Sequence, residues 1–182
     1  ALNGEKGLIS LLTQGINKDF IWVEGSIAYG NYIVHAMLPL LTHAALRGDQ
    51  RTWEFLGDQL LRVENVMIAP LYLRFSDGFA PTPSDGNRMQ VPDKALFLAA
   101  RRLFPTAFGF EEEKKRGTTW EQLLDPIPLA PPASRLPSVV SRNLEASRMA
   151  VLRSGPWQVF FHYGQTTGNH AQEEALTYEL YF

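Results

Sequence analysis

The chain has 182 residues, no cysteine and a formal net charge of −2. A general nucleic-acid-binding protein carries a surplus of basic residues, so we expect no nucleic-acid partner. The missing cysteines exclude disulfide scaffolds, thiolate metal sites and cysteine nucleophiles.

The first part of the chain has the apolar spacing of helices. A short helix is predicted near residues 6–16, and a long one from Ser26, as N-cap, to about Arg47. The clearest pattern predicts one helix over residues 50–67, because an apolar stripe recurs at helical spacing. The stripe consists of Trp53, Leu56, Leu60, Val63 and Met67.

A turn-rich segment at residues 76–87 follows this helical hairpin, and a third helix is predicted over 92–103. The charged run EEEKKR at 111–116 is expected to form a solvated surface. No apolar run reaches the roughly 18 residues that span a membrane. Because the first ten residues lack a signal-peptide pattern, we expect either a cytoplasmic protein or a targeting segment outside this chain.

Five of the 12 prolines lie between Pro126 and Pro137, and such a run resists both helix and sheet. The sequence therefore predicts a helical part at residues 1–125, a proline-rich linker at 126–137 and a β part at 138–182. The fold class is α+β. Since the first and last elements start or stop in mid-pattern, we expect an internal piece of a longer protein.

In the β part the apolar period changes to two. Strands are predicted at residues 149–153 and 157–163, joined by a turn at 154–156, and at 176–182. In the last strand Leu176, Tyr178, Leu180 and Phe182 share one face, and Thr177, Glu179 and Tyr181 share the other.

Two polar clusters are candidates for chemistry. The first surrounds the predicted start of the long helix, where unpaired backbone N–H groups suit anionic ligands. It contains Trp22, Glu24, Ser26, Tyr29, Asn31 and Tyr32. A purely structural role explains the same residues, with Trp22 and Tyr32 in the core and Ser26 as cap.

The second cluster is the polar segment between the predicted strands, at residues 162–174. It contains Asn169, His170 and Gln172, and loops on rigid strands often carry functional sites. A structural role for this loop is the alternative. The chain contains no phosphate-binding glycine motif, no HExxH and no GxSxG, so nucleotide binding and serine hydrolysis gain no support.

Three segments together resemble the heparinase II/III-like polysaccharide lyases. The segment NKDFIWVEGSIAYGNYIVHAMLPLL is similar to the tyrosine-bearing helix start of that family, and FSDGFAPTPSDGN to the loop after its helical hairpin. The segment VLRSGPWQVFFHYGQTTGNHAQEEALTYELYF is similar to the first strands of its β-sandwich, with the histidine-bearing loop.

The resemblance implies that the chain holds the last helices of an incomplete (α/α) toroid and the first strands of an antiparallel β-sandwich. It implies a carbon–oxygen lyase that cleaves a uronate-containing acidic polysaccharide by β-elimination, without a cofactor. Alginate, glycosaminoglycans and bacterial exopolysaccharides are substrates of this class. A periplasmic or secreted location is implied too.

On the resemblance, Tyr29 matches the catalytic tyrosine, as acid and also as base, and His170 matches the histidine that acts as base or contacts the uronate. Tyr32 is the second choice of tyrosine. Further substrate contacts are expected from Trp22, Glu24, Asn31, Asn169 and Gln172.

Two positions depart from the family pattern. Gln172 stands where some members have a histidine that supports a structural zinc, and we predict no metal because glutamine is a poor zinc ligand. Phe20 replaces the glycine that usually follows the aspartate, here Asp19.

Two alternatives stay open. A toroid-type glycoside hydrolase would use two carboxylates, Glu24 and Asp85. A non-catalytic glycan-binding protein would keep the same fold without turnover. Because the expected substrate is a polyanion and the chain is slightly acidic, positive groups such as Arg74 or Arg88 are expected in the cleft.

Overall fold

A computed structural model describes residues 4–84, 86–124, 126, 136–164 and 176–182. The chain is an α+β protein in which helices come first and a four-stranded antiparallel sheet follows. The helices are α1 Leu8–Gly15, α2 Ile27–Arg47, α3 Gln50–Leu56, α4 Gln59–Ile68, α5 Pro70–Leu73, α6 Lys94–Ala100, α7 Ala107–Lys115 and α8 Trp120–Leu124.

The long helix α2 is the centre of the helical part and packs against α4 and α6. Its buried face includes Val34, Met37, Leu38 and Leu41, as the apolar spacing predicts. It ends at Gly48, whose left-handed φ of 62° suits a glycine at a helix C-terminus. The helix continues through Pro39.

The single helix predicted over residues 50–67 is wrong, because the chain breaks into α3 and α4 at Gly57 and Asp58. Gly57 has a φ of 45°, which lies in the left-handed region that only glycine adopts at low cost. The apolar stripe did not indicate this break, because Leu56 and Leu60 keep helical spacing across it.

The charged run at residues 111–116 is not simply a solvated surface, contrary to the sequence prediction. Glu113 in α7 is fully buried, and its Oε2 lies 3.3 Å from Arg101 Nε and 3.6 Å from Arg116 Nη1. Glu112 is also buried, with its carboxylate 2.6 Å from Lys115 Nζ. These carboxylates can be buried because cations accompany them.

The strands are β1 Arg142–Leu144, β2 Met149–Ser154, β3 Trp157–His162 and β4 Thr177–Tyr181, in the sheet order β1-β2-β3-β4. Strands β2, β3 and β4 agree with the predicted strands within two residues at each end. The register pairs Arg153 with Gln158 at one end of the sheet, and His162 with both Met149 and Thr177 at the other.

One face of the sheet packs on the helical part. It carries Met149, Val151 and Phe160, each at most 1% exposed, and the polar side chains of Gln158 and His162. Direct contacts between the two parts include Asn17 and Asp19 to Ser147, Thr82 to Glu179, Gln158 to Ser76, and the ring of Phe75 stacked on that of Tyr181.

The other face of the sheet is apolar and exposed. We call it the outer face; its described strand residues and Phe182 carry no charge. Its most exposed members are Leu152, Trp157, Tyr178, Leu180 and Phe182, the last 75% exposed. The apolar residues of the β4 alternation, Tyr178, Leu180 and Phe182, therefore lie on the outer face.

Within the ranges described above, no helix is both long and apolar enough to cross a membrane.

Candidate functional site

The start of α2 carries the predicted catalytic tyrosine. Tyr29 lies in the first turn and is partly exposed, and its ring centroid is 5.8 Å from that of Tyr32. Tyr32, one turn further along, is 63% exposed. A phenol at this position can donate or accept a proton, and its partial exposure lets a ligand approach.

Ser26 precedes α2, but it does not act as the predicted side-chain cap. Its hydroxyl makes no capping hydrogen bond, and Oγ is buried without a hydrogen-bond partner among the described residues. A Cβ atom built on Gly86 would lie 3.0 Å from this oxygen. The turn-rich segment therefore lies directly against the start of α2.

The predicted substrate contacts of the first cluster differ in exposure. Glu24 is partly exposed, whereas Trp22 and Asn31 are buried, at 9% and 6%. Trp22 packs in the helical core, and Asn31 lies on the buried face of α2. Because Trp22 and Asn31 are buried, we infer that they maintain the shape of the site. A ligand would contact the more exposed Tyr29, Tyr32 and Glu24 first.

Strand β4 contacts the same turn-rich segment. Glu179 Oε1 accepts hydrogen bonds from the backbone N–H of Thr82 at 2.5 Å and from its hydroxyl at 3.0 Å. Sequence reasoning missed this pair. The alternation in β4 placed Glu179 on the face of Tyr181, but no local signal linked it to a residue 97 positions earlier.

The predicted site residues of the second cluster, Asn169, His170 and Gln172, lie outside the described residues, and so does Asp85. Their positions relative to Tyr29 therefore stay predictions.

The segment that contains Asp19 joins the helical part to the turn between β1 and β2. Asp19 Oδ2 accepts a hydrogen bond from the Ser147 backbone N–H at 2.7 Å, and Asn17 Nδ2 donates to the Ser147 hydroxyl at 2.9 Å. Phe20, directly after Asp19, has a φ of 61°, a left-handed conformation that favours glycine. Asp19 therefore connects the helical part to the turn between β1 and β2.

An open groove of about 1160 Å³ lies beside this connection. Its lining mixes the cations Lys18 and Arg62 with the acids Asp58 and Glu145. Mixed charge does not favour a polyanion. Among the described residues no group of three or more His, Asp or Glu side chains is arranged to hold a metal ion.

Comparison of the chain with protein-family models, with curated proteins and with solved structures gave no match in any of the three.

Proposed function

We propose that the protein is a polysaccharide lyase that cleaves a uronate-containing glycan by β-elimination. Tyr29 serves as acid and base, and His170 as base or uronate contact. The helices belong to an incomplete (α/α) toroid, and the sheet opens a β-sandwich. The observation that carries the proposal is a convergence. The start of α2 lies against Gly86, and strand β4, which follows the histidine-bearing loop in sequence, is hydrogen-bonded to Thr82 of the same turn-rich segment.

The residue types suit this reaction. The C5 proton of a uronate is α to a carboxylate and only weakly acidic, so a positioned base has to remove it. A proton donor then has to protonate the leaving glycosidic oxygen. A tyrosine can perform both steps in turn, and histidine is suited to base work near neutral pH.

The backbone at Phe20 supports the family resemblance. The family usually has glycine at this position, and a φ of 61° is a conformation that glycine adopts without steric cost. The departure from the family pattern thus concerns the side chain, while the backbone keeps a shape that glycine would favour.

The sheet supports the sandwich. A sheet that faces water on one side normally carries polar residues on that side, whereas here the outer face is largely apolar. An apolar outer face is typical of a sheet that is covered on that side as well, as in two packed sheets.

The decisive experiment incubates the purified protein with alginate, glycosaminoglycans and bacterial exopolysaccharides. We expect a product with a new C4–C5 double bond, and the ultraviolet absorbance of this bond measures the rate. Tyr29→Phe should lower the rate by about 10²-fold or more, because the phenol proton is lost while the ring remains. Tyr32→Phe is the matched control and should keep most of the activity.

Three outcomes would contradict the proposal. Folded protein that acts on none of these glycans would reject lyase activity. Reducing ends without the double bond, together with inactivation by Glu24→Gln rather than Tyr29→Phe, would indicate a glycoside hydrolase. Glycan binding without any product would indicate a non-catalytic protein of the same fold.

A further inference from the structure

Three arginines meet at one end of the sheet. Arg74 follows α5, Arg142 lies on β1 and Arg153 on β2. Arg153 Nη2 donates to the Arg74 backbone oxygen at 2.6 Å, and the Arg142 guanidinium lies 4.1 Å from the ring centroid of Tyr72. We call Arg74, Arg142 and Arg153 the arginine cluster.

The hydrogen bonds of the cluster go to neutral acceptors. Arg153 also donates to the Val140 carbonyl and to the side-chain oxygen of Gln158. Arg74 donates to the carbonyls of Leu71 and Pro137, both at 3.4 Å. Within the described residues, no carboxylate forms an ion pair with any of the three arginines.

Two acids of the connected segments, Asp77 and Glu179, have other partners. Asp77 lies 2.7 Å from Arg88, which also stacks on Phe79, and Glu179 is hydrogen-bonded to Thr82. Of the two arginines expected from the sequence to provide positive charge, Arg88 is therefore neutralised, whereas Arg74 belongs to a group of like charges.

Burial and mutual repulsion both act on the cluster. Burial, followed by the positive charges of Arg74 and Arg142, lowers the pKa of Arg153. Burial also lowers the pKa of Arg74. Guanidinium groups stay protonated at physiological pH, so the repulsion persists until an anion compensates it.

Arg153 lies at the opposite end of β2 and β3 from the start of the histidine-bearing loop. It pairs with Gln158, while that loop follows His162, four residues further along β3. Four strand residues span about 13 Å. Arg142 pairs with Val151 and therefore lies between these two ends. A ligand that reaches from Arg153 to the end of β3 has to extend over several sugar units.

We propose that the arginine cluster is an oxyanion subsite that binds a carboxylate or sulfate group of the acidic glycan, some sugar units away from the reacting bond. Arg74 and Arg142 provide the contacts, because a guanidinium fork matches two oxygens of a carboxylate or sulfate. Arg153 holds the backbone around them through its hydrogen bonds. The inference rests on the proposed function, since that function supplies the polyanion.

The test compares the wild-type protein with the double variant Arg74→Gln/Arg142→Gln by titration calorimetry. The probes are a heparin oligosaccharide, which carries sulfates and carboxylates, an oligomannuronate, which carries only carboxylates, and a neutral cellooligosaccharide. We expect about tenfold or greater loss of affinity for an anionic probe, since charged hydrogen bonds are lost. Loss with heparin alone assigns sulfate, and loss with oligomannuronate assigns carboxylate.

Arg47→Gln/Arg51→Gln also removes two positive charges, from exposed positions on α2 and α3, and is the matched control. It should leave the affinity unchanged. An equal loss in control and variant would show only long-range attraction and would overturn the subsite. Wild-type protein that binds neither anionic probe, or variant protein that binds both as tightly as wild type, would overturn it as well.

Thermal unfolding verifies that the variants fold. If the double variant does not, Arg142→Gln alone gives the test, because no hydrogen bond of the Arg142 side chain occurs within the described part of the chain. The two proposals fail separately. Absence of the double-bond product rejects the lyase, whereas probe affinity that is unchanged by the arginine substitutions rejects the subsite.

Discussion

At the residue scale, several side chains differ in burial or hydrogen bonding from what their local sequence indicates. Glu113 lies in a run of six charged residues, yet it is fully buried between Arg101 and Arg116. Ser26 is a preferred cap type, yet its hydroxyl makes no capping bond. In both cases a distant partner or a covering segment decided the outcome, and a local pattern contains no information about either.

Phe20 gives the prediction at this scale. Ala is normally more stable than Gly by 0.5–1 kcal/mol in regular structure. At position 20 we expect the reverse: Phe20→Gly should be more stable than Phe20→Ala by about 1 kcal/mol, because only Ala keeps the steric cost of the left-handed backbone.

Both variants lose the same ring packing, so each serves as control for the other. Denaturant unfolding measures the difference in the free energy of unfolding. An Ala variant that equals or exceeds the Gly variant in stability would contradict a left-handed backbone at this position.

At the element scale, helix starts depend on short side-chain contacts that the sequence does indicate. Asp49 precedes α3, and its carboxylate accepts hydrogen bonds from the Thr52 hydroxyl at 2.6 Å and the Thr52 backbone N–H at 3.3 Å. Asp93 and Thr106 begin α6 and α7 in the same way. Gly57, in contrast, divided a predicted helix, because its backbone conformation outweighed the apolar stripe.

The capping contacts predict a pH dependence. The Thr52 hydroxyl, and after it the Thr52 backbone N–H, lowers the pKa of Asp49 below its usual 3.8. The charged form therefore stabilises the folded state above pH 3.8, and this contribution is lost as the pH falls through the lower folded value. An NMR titration of the Asp49 carboxyl carbon measures the midpoint.

Thr52→Ala removes the hydroxyl that contributes most to the shift. We expect the Asp49 midpoint in this variant to rise towards 3.8. A midpoint that is the same in variant and wild type would show that the hydroxyl does not hold the carboxylate.

At the scale of the whole molecule, the sheet binds the helical part with one face and leaves the outer face exposed. An uncharged apolar face of this kind is typical of an interaction surface. It also follows from the proposed sandwich, in which a second sheet would pack against it.

The outer face predicts dye binding by the 182-residue chain. We expect the chain to bind anilinonaphthalene sulfonate, and Leu152→Thr/Leu180→Thr to reduce that fluorescence, since both leucines are more than half exposed there. Threonine retains β-branching, so the strands should persist.

Leu46→Gln/Leu61→Gln is the matched control, because these leucines are equally exposed but lie on helices. It should leave the fluorescence unchanged. Equal reductions in both double variants would mean that exposed leucines in general, and not the outer face, bind the dye.

The sequence by itself determined that helices precede strands, the ends of α2 and the alternation in β2, β3 and β4. These features follow from periods of 3.6 and 2 residues and from local turn residues, which neighbouring positions encode. It also placed Tyr29 near the start of α2, because a helix start is a local pattern. What it left open depends on residues far apart in the chain.

Only the tertiary structure decided which face of β4 is covered, that Glu113 is buried and that Thr82 meets Glu179. It also brought Arg74, Arg142 and Arg153 together from positions up to 79 residues apart. The physical reason is that burial and charge pairing belong to contacts between separate elements, and the packing of the sheet on the helices sets those contacts.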